Sequence, residues 1–371
     1  MRARWSAIAV VLLLGALLGG CQVAVTGNAG ISAADREKAD RRAEQRAAVD
    51  AALAALEQAP ALVYTATVKG AAQVFRVTRG GSALGALPLE GRVVQVVAAD
   101  TQFYLQADAD YWKSHAIDDG TQFGTSWVRT LGTELPLDPP GRLAPAKLAA
   151  GLRKAVAGLN QTAAPVKTKL PDGTEVYELG TAPSVLRVTT AKPNRLVSFA
   201  PALLDGQAGP KFGTEFAVAP LTGDALKKFH TDLDAMVAGL GQPFEGLVQA
   251  SAVVTNDKLD CKDFVGSCTT TVDVSNTVVG GSASGAKSVV HIKLTVEVSA
   301  EALGAQTCAA ESDAEPLATI KMSCTVKFRL PNKTASYQVL SKPDAVAEVR
   351  AALDPGAVKQ KLQSEFAALG G

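Results

Sequence analysis

Leu62-Val63-Tyr64-Thr65-Ala66-Thr67-Val68, Gly70, and then Ala72-Gln73-Val74-Phe75-Arg76-Val77-Thr78 running into Gly80-Gly81 form the stretch that decides the fold. The second half alternates apolar and polar residues. β-Branched and aromatic side chains crowd both halves, and glycines punctuate them, which predicts paired strands joined by tight turns. Further strands are expected outward from this pair at 91–97, 101–106, 175–179, 185–190, 195–200 and 212–218. Upstream, Ser32 suits a helix cap, and Asp35 and Glu37 suit a first turn. Val49, Leu53 and Leu56 then share a face before Pro60 stops the helix. Downstream, 143–159 predicts a helix with Leu148, Leu152, Val156 and Leu159 on one side. Residues 224–239 predict an amphipathic helix striped by Leu226, Phe229, Leu233, Met236, Val237 and Leu240. Antiparallel strands with one apolar face need a cover, so the class is α+β.

Glycines and Pro243 mark a boundary after residue 240. Beyond it, strands are expected at 247–254, 269–279, 288–298, 318–330 and 335–340, with a Gly/Ser-rich hairpin loop at 280–285. This spacing suits a small β-sandwich over 245–342. Pro343 is expected to open a C-terminal helical segment, 343–371, burying Val346, Val349, Leu353, Val358, Leu362 and Phe366, with one break at Pro355-Gly356.

The formal net charge of +1 gives no basic footprint, which argues against nucleic-acid partners, and 5% aromatics are poor for stacking on bases. A 47% hydrophobic content is enough for real cores.

The N-terminus sets the compartment. Arg2 and Arg4 precede an apolar run of about a dozen residues, too short to span a bilayer, and then Leu18-Gly19-Gly20-Cys21. This resembles the bacterial lipobox. The resemblance implies a signal peptide over 1–20, cleavage before Cys21, and a diacylglyceryl group on the Cys21 thiol, a palmitate-type anchor with a further acyl chain. Two or more chains anchor stably. The expected location is the extracytoplasmic face of the cell membrane, with 21–34 as a tether and 35–240 as the first domain. Cys261, Cys268, Cys308 and Cys324 remain as an even set, fitting two disulfides in an oxidising compartment. Short loops favour Cys261–Cys268 with Cys308–Cys324; Cys268–Cys324 is the rival, because each opens a similar Ser-Cys-Thr strand.

Over residues 45–220 the pattern resembles the actinobacterial lipoproteins that carry glycolipid or triacylglycerol-like ligands, similar in fold to the periplasmic lipoprotein carrier. Lipobox, helix and paired strands are followed by Phe103-Tyr104-Leu105, Asp110-Tyr111-Trp112, Ser126-Trp127-Val128, a Leu/Ala helix and Asp172-Gly173. The resemblance implies a half-open antiparallel β-barrel covered by helices, with an apolar cavity between them that binds lipid. Val74, Val96, Phe103, Leu105, Trp112, Trp127, Leu148 and Leu152 are its expected lining. The disulfide-bearing remainder looks like an immunoglobulin-like sandwich.

No catalytic pattern emerges, so a non-enzymatic protein without metal or cofactor is expected. His115, His230 and His291 are scattered. Ser284-Gly285-Ala286-Lys287 matches S-x-x-K but sits in a turn rather than at a helix start. Asp257, Asp260 and Asp263 read as solvated turn acids. The expectation is therefore an anchored lipoprotein that holds or transports a lipid. The alternative is an interaction lipoprotein whose sandwich docks a protein or cell-envelope partner.

Overall fold

The computed structural model describes residues 32–114, 123–135, 137–159, 165–206, 208–212, 215–262, 265–280, 288–332 and 335–370. The expected signal peptide, Cys21, most of the expected tether, His115, Asp263 and the Ser284–Lys287 motif lie outside them. The fold is α+β and mostly sheet.

Helix α1 (Ala33–Gln58) starts where expected: the Ser32 hydroxyl accepts a hydrogen bond from the Asp35 backbone N–H at 3.0 Å. Five strands follow: β1 (Ala61–Val68), β2 (Ala71–Thr78), β3 (Ala83–Leu89), β4 (Arg92–Ala99) and β5 (Gln102–Gln106). Lys69-Gly70 and Glu90-Gly91 each place two successive residues at positive φ, the two-residue hairpin geometry that matches strand twist. Short helix α2 (Ala109–Ser114), strand β6 (Trp127–Thr130), one turn of helix α3 (Pro139–Arg142) and helix α4 (Pro145–Gly158) come next. The unit ends with β7 (Val166–Lys169), β8 (Glu175–Thr181), β9 (Ser184–Thr189), β10 (Leu196–Phe199), α5 (Ala208–Phe212), β11 (Phe216–Leu221) and α6 (Gly223–Gly239).

The strands run β6-β5-β4-β3-β2-β1-β11-β10-β9-β8-β7, and every neighbouring pair is antiparallel. Alternation gives this sheet two apolar faces. Leu62 and Tyr64 on β1, Phe75 and Val77 on β2, Val94 and Val96 on β4, and Phe103 and Leu105 on β5 share a core with α1 and α4. The intervening Ala61, Val97, Ala99 and Tyr104 pack instead with α6 and a later helix.

The second unit comprises the two-residue strand β12 (Phe244–Glu245), β13 (Val248–Lys262), β14 (Ser267–Gly280), β15 (Ser288–Ala300), β16 (Gly304–Ala314), β17 (Thr319–Lys327) and β18 (Val339–Ala351). One sheet has the order β13-β14-β17; the other, β16-β15-β18, faces it across a core built from Val272, Val274, Ile292, Leu294, Val296, Met322 and Val326. β12 pairs in parallel with β6 and antiparallel with β18, so the first-unit sheet continues into the second.

Residues 343–351 are strand, not helix. Pro343 is tolerated because β18 has no ladder partner on its far side at that point. Helix α7 (Pro355–Ala368) begins at the proline expected to break it, and Asp354 caps it through the Gly356 and Ala357 N–H groups. It returns to the first unit, where Val358, Leu362 and Phe366 join α6. Of the expected inward residues before it, Val346 is exposed.

Two cysteine pairs stand at bonding distance, Cys261–Cys268 within the β13–β14 hairpin and Cys308–Cys324 between the two sheets. The rival Cys268–Cys324 pairing is not formed. They close chain segments of 7 and 16 residues. Loop-closure entropy makes the second worth more, about 3 kcal/mol against about 2 kcal/mol. We expect Cys308→Ala/Cys324→Ala to lower denaturant stability more than Cys261→Ala/Cys268→Ala. The reverse order would show that native packing, not chain entropy, sets their worth.

The face opposite α1 and α4 is tied by charge. Asp232 on α6 accepts from Lys228 at 2.7 Å and from Arg76 on β2 at 2.8 Å. The Lys228 hydrogen bond, with Arg76 behind it, holds the Asp232 carboxyl below its usual range against an opposing push from burial. A depressed folded-state pKa stabilises fully above the unfolded carboxylate value of about 4 and is lost as pH falls through the lower folded value. We expect Asp232→Asn to flatten the loss of stability below about pH 4. Near neutrality it should cost under about 1 kcal/mol, because solvent screens a partly exposed pair. Parallel acid titrations of stability check both.

Candidate functional site

The candidate site is the closed apolar layer between the first-unit sheet and helices α1 and α4. α4 is Pro-Ala-Lys-Leu-Ala-Ala-Gly-Leu-Arg-Lys-Ala-Val-Ala-Gly, started by a proline at its first turn. Leu148 and Leu152 are one helical turn apart and both are 0% exposed. α1 contributes Ala48, Val49, Ala52, Leu53 and Leu56 from its C-terminal half; its charged N-terminal half stands mostly in solvent. Arg153 of α4 and Glu57 of α1 meet at 2.6 Å on the outside.

Below the helices, Tyr64 centres an aromatic group with Phe75, Phe199 and Phe216, at ring distances of 6.2–6.4 Å. Its hydroxyl donates to the Leu143 carbonyl just before α4, and burial pushes its pKa well above the usual tyrosine value. The Tyr177 ring, on β8, belongs to the same core. Burial first, and then Glu44 on α1, raise its pKa to about 12.

A second aromatic group closes the β6 end. α2 is positioned by Asp108, whose carboxylate accepts from the Tyr111 N–H at 2.7 Å and pairs with Arg92 at 2.7 Å. Trp112 then packs edge-to-face on Phe123 at 5.3 Å, and Phe123 lies 5.3 Å from Phe244 of β12. Arg350 of β18 stacks over the Phe244 ring at 3.6 Å. Beside it, Arg129 of β6 and Glu245 of β12 form a buried ion pair. The aromatic group thus reaches the junction of the two units.

Six of the expected lining residues, Val96, Phe103, Leu105, Trp112, Leu148 and Leu152, come together in this layer, all nearly or fully buried. Two do not. Val74 shares the parity of Arg76 on β2 and is exposed, because Phe75 and Val77 take the inner face. Trp127 packs with α6 and α7, because on the short strand β6 it is Val128 that points inward. Tyr64, Phe199, Phe216 and Phe244 were missed; alternation along 61–68 and 212–218 carried the signal for all but Phe199 and Phe244.

Elsewhere, an open cleft of about 460 Å³ lies along the α7 seam, where Thr78 and Ser82 donate to Glu365 and Lys361 pairs with Asp100. Another of about 900 Å³ opens at the end of the second unit between Phe328, Leu330, Tyr337 and the Cys261–Cys268 bridge. His230 stacks on Phe366 at 4.3 Å, and His291 Nδ1 lies 2.7 Å from Asp313. Asp257 accepts from Ser341 at 2.8 Å. Among the described residues no three His, Cys, Asp or Glu side chains converge to hold a metal, and no helix is long and apolar enough to cross a membrane. No protein-family model matches the chain, and a search of curated proteins finds no similar sequence.

Proposed function

We propose that this chain is a non-enzymatic extracytoplasmic lipoprotein, held on the cell membrane through Cys21, that binds or carries an acyl lipid between the first-unit sheet and its α1–α4 cover. The eleven antiparallel strands are read as a half-open barrel, and the second unit as an immunoglobulin-like sandwich. One observation carries the reading: a continuous antiparallel sheet presents an apolar face to a cover held chiefly by small and aliphatic side chains. The lining residues Val96, Phe103, Leu105, Trp112, Leu148 and Leu152 are each at most 3% exposed, so loading displaces part of the cover. The magnitudes allow it. Burying a sixteen-carbon chain is worth about 13 kcal/mol at about 0.8 kcal/mol per methylene. Re-exposing Leu148 and Leu152 costs about 2–3 kcal/mol each.

The test is native mass spectrometry of the chain from Gln22 onward, purified without detergent and then incubated with extracted membrane lipids. A stoichiometric acyl species, identified by organic extraction, supports the reading. An unchanged apo mass overturns it and moves the search to protein partners of the second unit.

A further inference from the structure

Among the described residues, the layer holds two buried polar groups without a hydrogen-bond partner, the Tyr177 hydroxyl near Glu44 and the Trp112 indole N–H. Trp112 is 1% exposed, and its indole Nε1–H is buried without a hydrogen-bond partner. Buried indole N–H groups ordinarily find an acceptor, and an orphan is a defect that folding avoids. The contrast with Tyr64 is informative. Tyr64 lies in the same apolar layer, and its hydroxyl is satisfied by the Leu143 carbonyl. Tyr177 stands at the far end of the layer on β8, where Glu44 of α1 already faces its hydroxyl, whereas the Trp112 donor faces no such group; the Tyr104 hydroxyl on the opposite sheet face and Thr270 Oγ1 on β14 lie outside the layer.

The surroundings are built, not incidental. Asp108 fixes the start of α2, and Tyr111 and Phe123 hold the indole edge-to-face from two sides at 5.1 and 5.3 Å. Tyr111 and Phe123 pack on the indole, Phe244 packs on Phe123, and Trp112 is 1% exposed, so an incoming acceptor there would meet little competition from water. The group an acyl lipid carries at the end of its hydrocarbon is an ester carbonyl, a neutral acceptor suited to a neutral donor, and the nearby charges are already engaged, Arg129 with Glu245 and Arg350 over Phe244.

We infer that the Trp112 indole N–H is the polar anchor of the bound lipid, donating to an ester carbonyl oxygen while the acyl chain runs along the sheet toward Leu105, Leu148 and Leu152. This rests on the lipid-binding reading and adds a position, a direction and a chemical class: ester-linked rather than ether-linked lipids. Trp112 is a binding and specificity residue, and no bond is made or broken.

The experiment uses the full chain in a steroid detergent, which has no acyl tail, titrated with dipalmitoylglycerol and with its ether analogue dihexadecylglycerol. The two probes match in chain length, and the second lacks both carbonyls. The wild type should bind the ester about tenfold more tightly than the ether. Trp112→Phe keeps a ring but no N–H, and should bind both probes equally, at the wild-type affinity for the ether. As a readout independent of that variant, the ¹⁵N-indole resonance of Trp112 should shift downfield with the ester and not with the ether; Trp5→Phe/Trp127→Phe leaves it as the one indole and so assigns it. Equal ester and ether affinity in the wild type, with an unmoved indole resonance, overturns the anchor and leaves the lipid site standing. Binding of neither probe overturns both.

Discussion

Replacing Arg129 with methionine should cost about 3–5 kcal/mol of stability, because it strands a buried carboxylate. Glu245 is 2% exposed and Arg129 is 3% exposed. The Glu245 Oε2 accepts from Arg129 Nε at 2.8 Å and from Nη2, and loses both donors in the variant. Ser288 on β15 reaches the pair from the second unit, 3.2 Å from Arg129 and 3.4 Å from Glu245. The pair thus bolts β6 of the first unit to β12 and β15 of the second. Arg129→Met/Glu245→Leu removes both charges together and should recover most of the loss, since the large term is an uncompensated charge rather than a missing attraction. Urea unfolding reads both. The single variant should also split the transition, because the junction that couples the two units is gone. A cost under about 1 kcal/mol with an unsplit transition would mean that the Phe244–Arg350 stack and the packing of α7 suffice to hold the units together.

Most of the first-unit fold was legible because local signals and tertiary demands agree there. Ser32 caps, Gly70 turns, and residues 72–78 alternate, and each of these survives in the structure. Failures cluster where side chains are small or strands lie at an edge. Gly304–Ala314 has one β-branched residue in eleven and was passed over; it is an edge strand whose pairing with β15 comes from tertiary context. Residues 343–351 read as helix because Val346 and Val349 are three apart. The inward positions are in fact Ala345, Ala347, Val349 and Ala351, and alanine writes a faint alternation. In the layer, Leu148 and Leu152 are legible from helical spacing on α4, and Val96, Phe103 and Leu105 from every-second-residue spacing on β4 and β5. Val74 failed because Val74 and Phe75 are both apolar, and only the partner helices decide which one faces inward. Phe244 was invisible for a different reason: a two-residue strand has no period, and its place is set by strands 116 and 106 residues away in the chain, through Val128 and Arg350.

The second large effect separates a cover from a core. Leu152→Ala removes a fully buried side chain from α4 and should cost about 2–5 kcal/mol in the empty protein, the spread depending on how far the site collapses. Leu233→Ala on α6 removes an equally buried leucine from the opposite face, where α7 and Phe229 pack, and should cost a similar amount. The two should part company when dipalmitoylglycerol is added. If the acyl chain lies under α4, it fills the space Leu152 vacates, and loading no longer displaces that side chain. Ligand binding stabilises by RT ln(1 + [L]/Kd), so an easier entry appears as a larger ligand-induced rise in midpoint for Leu152→Ala than for the wild type. Leu233→Ala should show only the wild-type rise, because α6 is structural and meets no ligand. Thermal or denaturant midpoints with and without the lipid, for the three proteins, give the comparison directly. An identical lipid response from both variants would mean that α4 is part of a solid core, and the lipid, if bound, sits elsewhere on the chain.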